Sequence, residues 1–332
     1  MAPEPTTLQE AILYFADPEN CLNYLVVRRW PDGVVVCPTC GRKNPRYIAD
    51  RKVWQCATKH PKRQFSVKIG TIFEDSPLSL DKWMMAVWLI SNCKNGVSSY
   101  EIMLDMGVTQ KSTWFMLQRI RLALQDDLTG GNLGGEVEID ETFIGGGVRN
   151  MHKDRKREVQ QAGRSTGGKS VVLGMLERAS EGKPKRVRAT VIADRKKDSI
   201  APEVAGNVEP GSHLMSDEWG HHWISGLDEN YMHDSVNHLQ AYVNGNVHAN
   251  GLENFWSLLK RGINGTYVSV EPFHLFRYVD EQAFRFNNRK HEDGSPMTDG
   301  GRFSLAITKA IGKRLTWNEL TGKVPATQPE AF

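Results

Sequence analysis

Cys37 and Cys40 stand two residues apart in CPTC, where Pro38 and Gly41 shape a tight turn that lets both sulfurs face one ion. The surrounding segment, RRWPDGVVVCPTCGRKNPRY, has few apolar side chains, so a metal is what it would fold around. Sites of this kind are completed by a second knuckle about 10 to 20 residues further on. WQCATKHPKRQFSV supplies Cys56, with fifteen residues between it and Cys40, and then His60. Lys59 occupies the place of a fourth cysteine, so the expected set is Cys37, Cys40, Cys56 and His60 around one Zn²⁺. Four protein ligands leave no position for a substrate, which makes this zinc structural. Arg42, Lys43, Lys62 and Arg63 offer the module a basic surface, either for DNA or simply for water.

The chain has five cysteines, an odd number that argues for metal binding and burial rather than a disulfide framework. Cys21 and Cys93 lie inside the apolar patterns CLNYLVV and WLISNC and read as buried small hydrophobes. No apolar run approaches the ~18 to 20 residues needed to span a bilayer. The N-terminal MAPEPTTLQEAILYF lacks a signal peptide's charged head and cleavage site, so the expected location is the cytoplasm, with no membrane partner. At 332 residues the chain has room for two or three domains. Its 42 basic and 39 acidic side chains give a net charge of +3, so any nucleic-acid footprint has to be local.

A short amphipathic helix is expected around Leu8 to Tyr14, and the ribbon over residues 21–76. Ser79 is the N-cap expected for the helix SLDKWMMAVWLISNC. Next, SSYEIMLDMGVTQKSTWFMLQRIRLAL reads as two helices broken at Gly107, the second starting near Thr109 with Trp114, Leu117, Ile120 and Leu124 at helical spacing. A helix, glycine turn and helix can lay the second helix in a major groove, with Gln110, Lys111, Ser112 and Arg119 as exposed readers; any helical hairpin looks similar. LTGGNLGG, residues 128–135, reads as a linker ending this region of residues 77–127.

EVEIDETFIGGG, from Glu136 to Gly147, alternates as a half-buried strand, with Val137, Ile139 and Phe143 on one side and Glu138, Asp140 and Thr142 on the other. Such a strand either holds a metal beside a cleft, with Asp140 as first candidate, or merely turns its acids to water. The basic stretch from Arg149 to Lys169 has no apolar periodicity and reads as a loop, suited to a polyanionic substrate or to plain solvation. SVVLGMLE and RVRATVIAD, joined by the turn EGKPK, add two strands, and a helix is expected over Asp198 to Ala205. SHLMSDEW is a further short strand with Asp217 at its C-terminal end, where α/β sheets usually place ligands, while Glu218 should point the other way.

In HANGLENFWSLLKRGINGTY, residues Leu252, Phe255, Trp256, Leu259 and Ile263 form a core-facing stripe. Glu253, Ser257 and Lys260 share another face, which leaves Glu253 able to meet a metal. His213, His221, His222, His238 and His248 surround these segments; His248, just ahead of the helix, is the best placed for a phosphate contact. EPFHLFRYVDEQAFRFNNRK reads as an amphipathic helix with Phe276, Val279, Ala283 and Phe286 inward and Arg277, Arg285, Arg289 and Lys290 outward. EDGSPMTDGG should be a linker, RFSLAITKAIGKRLTW a last helix, and PATQPEAF a frayed tail.

Taken together, CPTC, QFSVKIGTIFEDSP, EIDETFIGG, SDEW, HANGLENFWSLLKRGINGTY and HLFRYVDEQAFRFNNR resemble the zinc-ribbon DDE transposases of insertion sequences, the ISXO-like family. The resemblance runs from RRWPDG to FRFNNR. It implies an α/β chain: a ribonuclease H-like catalytic domain, a mixed sheet with flanking helices over residues 136–292, preceded by the zinc ribbon and the helix-turn-helix-like region. Residues 1–20 would be an N-terminal helix and 293–332 a C-terminal helix and tail. It further implies that Asp140, Asp217 and Glu253 form a triad. His60, where many relatives carry cysteine, departs from the pattern. Hard oxygen ligands select Mg²⁺ or Mn²⁺, and two such ions about 4 Å apart would serve an in-line displacement at phosphorus.

The expected activity is cleavage at an element's ends followed by attack of the freed 3′-hydroxyl on target DNA. Expected partners are the terminal inverted repeats and target DNA, bound by a homodimer or higher oligomer near the nucleoid. Lys260, Arg261, Lys111, Arg119 and His248 are the candidate DNA contacts. A catalytically silent DNA-binding repressor or a nuclease that cuts without joining are the alternatives.

Overall fold

The computed structural model describes residues 3–126, 131–146, 153, 157, 168–180, 182–217, 230–236 and 250–323, with the backbone alone for Asp217 and Val236. It divides into two compact units, one of Met1–Gln125 with Thr298–Phe332 and the other of Asp126–Met297.

The first unit opens with α1 (Leu8–Phe15), whose capping box joins the Glu10 N–H to Thr7 Oγ1 at 3.3 Å and the Thr7 N–H to Glu10 Oε2 at 3.2 Å. In α2 (Pro18–Arg29), Asp17 accepts the Glu19 N–H at 2.8 Å and Pro18 starts the first turn, where its missing N–H costs nothing. This helix absorbs CLNYLVV, which the sequence reading had placed at the start of the ribbon. Cys21 is fully buried there, and burial pushes its thiol up to about 12, as suits an inert core residue. Cys93, expected in the core, is only half-buried at the end of a later helix.

The ribbon proper is a three-stranded antiparallel sheet of β1 (Arg46–Ile48), β2 (Val53–Gln55) and β3 (Gln64–Phe65). Its apolar content gathers around Trp54, whose ring lies 5.0 Å from Tyr47, 5.4 Å from Trp30 and 6.1 Å from Phe65. Three helices follow: α3 (Leu80–Asn92), α4 (Ser99–Met106) and α5 (Gln110–Leu124). Gly107 ends α4 with a left-handed φ of 61°, which glycine adopts without steric cost, and Thr109 caps α5.

Arg119, expected as an exposed reader on α5, is buried at 5% exposure. Its guanidinium donates to the carbonyls of Leu315 (3.0 Å), Ile72 (3.1 Å) and Glu74 (2.7 Å), so it ties loops of its own unit together. From Thr113 onward α5 is buried or half-buried, and only its first turn, with Gln110 and Lys111, is exposed.

The second unit is built on a five-stranded mixed sheet in the order β6-β5-β4-β7-β8. Its strands are β4 (Glu136–Ile144), β5 (Ser170–Glu177), β6 (Arg186–Ile192), β7 (His213–Asp217) and β8 (Met232–Val236). β4, β5 and β6 form the antiparallel meander expected from the sequence, whereas β7 and β8 add in parallel beside β4. One face packs Val137, Ile139, Leu173 and Met175 against Ile200 and Val204 of α6 (Lys197–Asn207). The other packs Val172, Leu176 and Val187 against Leu252, Phe255, Trp256 and Leu259 of α7 (Asn250–Arg261), and against Val279 and Phe286 of α8 (Leu275–Asn287).

Residues 131–135 are not a free linker. Leu133 is fully buried on the α6 face, its N–H donates to Asn207 O at 2.9 Å, and Arg186 and Arg188 each donate to nearby carbonyls, of Asn132 and Gly131, at 2.8 Å. A lone leucine among glycines has no periodicity to reveal it. Arg277 and Arg285 of α8 also depart from expectation: both are buried, and Arg285 pairs with Glu281 and Gln282, while Arg289 and Lys290 are exposed as foreseen.

The chain then returns to the first unit with α9 (Asp299–Lys309), capped by Thr298, and the short α10 (Trp317–Leu320). Phe303 of α9 meets Phe15, Tyr24 and Trp88 at ring distances of 5.1–5.4 Å, so the C-terminal helix completes the core begun by the N-terminal ones. Helix α9 starts inside DGG, which sequence alone reads as linker. Among the described residues no helix is long and apolar enough to cross a membrane.

Candidate functional site

Two groups of side chains carry the chemistry. In the ribbon, ligand atoms of Cys37, Cys40, Cys56 and His60 all lie within 4.8 Å of one another. Cys37 Sγ is 3.5 Å from His60 Nε2, and Cys40 Sγ is 3.5 Å from Cys56 Sγ. A tetrahedral zinc with bonds of about 2.0–2.3 Å needs ligand separations of this size. The turn that presents them is closed by Gly41 N–H to Cys37 O and Cys37 N–H to Arg42 O, both at 2.9 Å. A backbone hydrogen bond at Arg42 holds the Cys40 thiol below its ordinary range, towards the thiolate a metal requires, while burial pushes Cys37 up. Cys3His is thus a complete donor set, with His60 as its fourth member. It is the group of three or more metal-capable side chains found among the described residues.

The second group lies on the α7 face of the sheet. Alternation along β4 points Glu138, Asp140 and Thr142 to this face, as the sequence reading held. Glu141 points to the opposite face, where it meets Arg195 at 3.4 Å. The parallel pairing of β4 with β7 runs Glu136 to His213, Val137 to Leu214 and Glu138 to Met215. Continuing that register by two residues brings Asp217, the last residue of β7, level with Asp140 on the neighbouring strand. The Asp217 side chain, Glu218, His221, His222, His238, His248 and most of the basic stretch Arg149 to Lys169 lie outside the described residues.

Asp140 is half-buried, and both of its oxygens accept hydrogen bonds: Oδ1 from the Glu141 N–H and Oδ2 from the Trp256 indole N–H, each at 2.8 Å. Glu253 is exposed one turn before Trp256 on α7, and Lys260 and Arg261 are exposed in the last turn of the same helix. Lys111 is exposed in the other unit, its ammonium 4.7 Å from the Trp317 ring centre. His213 Nε2 meets Asp234 Oδ2 at 2.8 Å, a hydrogen-bonding role.

Several residues were not singled out by sequence reasoning. Glu138, two positions before Asp140 on the same face, is only 1% exposed. It pairs with Arg178 Nε at 2.9 Å and accepts the Leu252 N–H in the first turn of α7 at 3.0 Å. Trp256 appeared only as one apolar member of a stripe. A signal for Trp256 was present in Gly174, a glycine inside an apolar strand, since such positions mark the close approach of another group.

Models of two known families match this chain: the transposase zinc-ribbon domain over residues 16–58 and the ISXO2-like transposase domain over residues 132–287. An uncharacterized protein in transposable element ISH50 of Halobacterium salinarum is 27% identical over 266 residues, covering 75% of this chain and 84% of the relative. With the ribbon's cysteine cluster followed by a mixed sheet and its helices, the chain carries the two domains of an insertion-sequence transposase, a transposase zinc ribbon and an ISXO2-like transposase domain.

Proposed function

We propose that this transposase cleaves DNA at the ends of its insertion sequence and joins the freed 3′-hydroxyls to target DNA, with Asp140, Asp217 and Glu253 as the metal-binding triad on a ribonuclease H-like domain. The observation that supports the reading is the parallel pairing of β4 with β7 from Glu136–His213 to Glu138–Met215, a register that, carried on by two residues, would put Asp217 beside Asp140. The second support is α7, which packs across that face with Glu253 one turn from the residue bonded to Asp140. A mixed sheet with helices on both faces also fits the ribonuclease H-like assignment.

The donor set is all carboxylate, which suits hard divalent cations such as Mg²⁺ or Mn²⁺. Bound there, two such ions supply stabilisation of the attacking and leaving oxygens of an in-line displacement. The side chains do the rest. Asp140 stands on β4, the central strand of the sheet, Asp217 ends the neighbouring β7, and Glu253 is carried on a packed helix. Lys260 and Arg261, exposed on that helix, meet the phosphates flanking the reacting one, and the first turn of α5, with Lys111, offers a separate DNA contact. The ribbon's basic side chains add sequence-independent affinity. The protein works in the cytoplasm on nucleoid DNA, as a homodimer or higher assembly that holds two element ends.

The test incubates the protein with labelled terminal-repeat DNA, a target plasmid and Mg²⁺. Joined products are expected, and Asp140→Asn, Asp217→Asn or Glu253→Gln should each abolish joining while leaving end binding intact. Normal joining by any of the three removes that residue from the site. Nicks without joining would make the protein a nuclease, and retention without cutting a silent DNA binder.

A further inference from the structure

Helix α7 touches the sheet at two polar points, and both are built with unusual closeness. At the first, Glu138 reaches from β4 to the opening turn of α7, where its Oε2 accepts the Leu252 N–H at 3.0 Å. That N–H is one of the helix's unsatisfied donors, at the end where the helix dipole favours an anion. The helix comes so near that a Cβ added at Gly251 would lie 2.7 Å from Glu138 Oε2. Arg178 holds the same carboxylate from the side at 2.9 Å. At the second point, the Trp256 indole lies over Gly174, where an added Cβ would fall 2.6 Å from the ring. Gly174 pairs with Asp140 on β4 and with Ala189 on β6, so a row of small residues across the antiparallel strands opens a slot for the ring beside Asp140.

From this slot the indole N–H can reach only sideways, and it donates to Asp140 Oδ2 at 2.8 Å. Trp256 is 5% exposed and packed among Leu252, Phe255 and Leu259, so its ring cannot turn away. The carboxylate of Asp140 is thereby fixed about its last torsion, which is otherwise broad and soft. Glu253 lies on α7 between the two contact points, Leu252 and Trp256.

The geometry points to Trp256 as a positioning residue for Asp140, with Glu138 setting the register of α7 so that Glu253 and Asp140 are presented together. This rests on the triad reading given above. It goes beyond that reading by assigning the metal-site geometry to an indole N–H and a buried carboxylate that themselves touch neither metal nor DNA. Residues that orient a metal ligand in this way typically cost about 10- to 100-fold in metal affinity when altered.

The experiment titrates zinc-loaded, DNA-free protein with Mn²⁺ by calorimetry, comparing wild type, Trp256→Phe, Glu138→Gln and Asp140→Asn, with thermal melts of each. Trp256→Phe keeps an aromatic side chain in the slot and removes the N–H, leaving a small cavity where the outer indole ring lay over Gly174. It is expected to weaken Mn²⁺ binding by about 10- to 100-fold, and to raise by a similar factor the Mn²⁺ concentration needed for strand joining, with a cooperative melt retained at a lowered temperature. Wild-type Mn²⁺ affinity in folded Trp256→Phe, with binding lost in Asp140→Asn, overturns this inference alone. Wild-type affinity and joining in Asp140→Asn instead overturns the triad reading on which it stands. Should Trp256→Phe fail to fold, Glu138→Gln carries the test, since it loses the charge that grips Arg178 and the Leu252 N–H and so loosens α7, while keeping one acceptor that lets the helix dock. Weakened Mn²⁺ binding in that variant supports the inference, and wild-type affinity in it overturns the inference.

Discussion

The zinc ribbon and the five-stranded sheet hold their side chains in place by opposite means. The ribbon has three strands of two or three residues and one aromatic cluster around Trp54, too little apolar surface to stand alone. Its ligands converge because a metal draws them together. The sheet is covered by apolar layers on both faces, and its carboxylates stay in place because the backbone beneath them is already rigid. In the first region the metal makes the fold; in the second the fold makes the proposed metal site. Removing metal should therefore destroy one and leave the other standing.

Four measurements would break or sharpen that contrast. Stripping zinc with a chelator should have the largest effect, because binding energies of about 10–16 kcal/mol are folding energy in such modules. Ribbon-specific signals, such as amide protection over residues 46–65, should collapse while protection of β4 and β5 persists. A ribbon that keeps its protection without zinc would end the comparison. Phe255→Ala, at a fully buried position on α7, should cost the sheet unit about 3–5 kcal/mol in denaturant unfolding and leave zinc content unchanged.

Glu138→Gln should cost about 1.5–3 kcal/mol, the usual worth of a hydrogen bond to a charged group. The loss should appear in the same unit, by the same measurement. Asp140→Asn should change stability least, by less than about 1 kcal/mol, yet reduce joining below detection. A large stability loss in that variant would mean that Asp140 holds the fold rather than the proposed site.

Much of this was legible beforehand, for reasons that are local. Cys37-x-x-Cys40 and the spacing to Cys56 and His60 encode a ligand set directly, because a turn of that length can point two sulfurs one way. The alternation of β4 predicted which residues face together, and the boundaries at Gly107 and Thr109 followed from a left-handed cap and a hydroxyl N-cap. What misled was burial, which spacing along the chain does not report. Arg119, Arg277 and Arg285 look like surface cations in a helical pattern, but their stems and guanidinium groups are buried, with Arg119 bonded to three carbonyls and Arg285 to Glu281 and Gln282. Residues 131–135 read as a linker until Leu133 is seen packed on the sheet. DGG before Arg302 reads as a loop until α9 begins there and returns to the N-terminal core.

The sequence alone determined the zinc ligands, the alternating strand with its acidic face, and the amphipathic helix that carries Glu253. These depend on spacing along the chain and on the repeats of strand and helix. Tertiary structure alone decided how two carboxylates on one face of β4 divide their roles. Glu138 faces a helix end and an arginine, so it is buried and spent on holding α7. Asp140, two residues on, faces the Trp256 slot beside Gly174 and is left half-buried. The two differ in what lies across from them, and burial and pairing are set there.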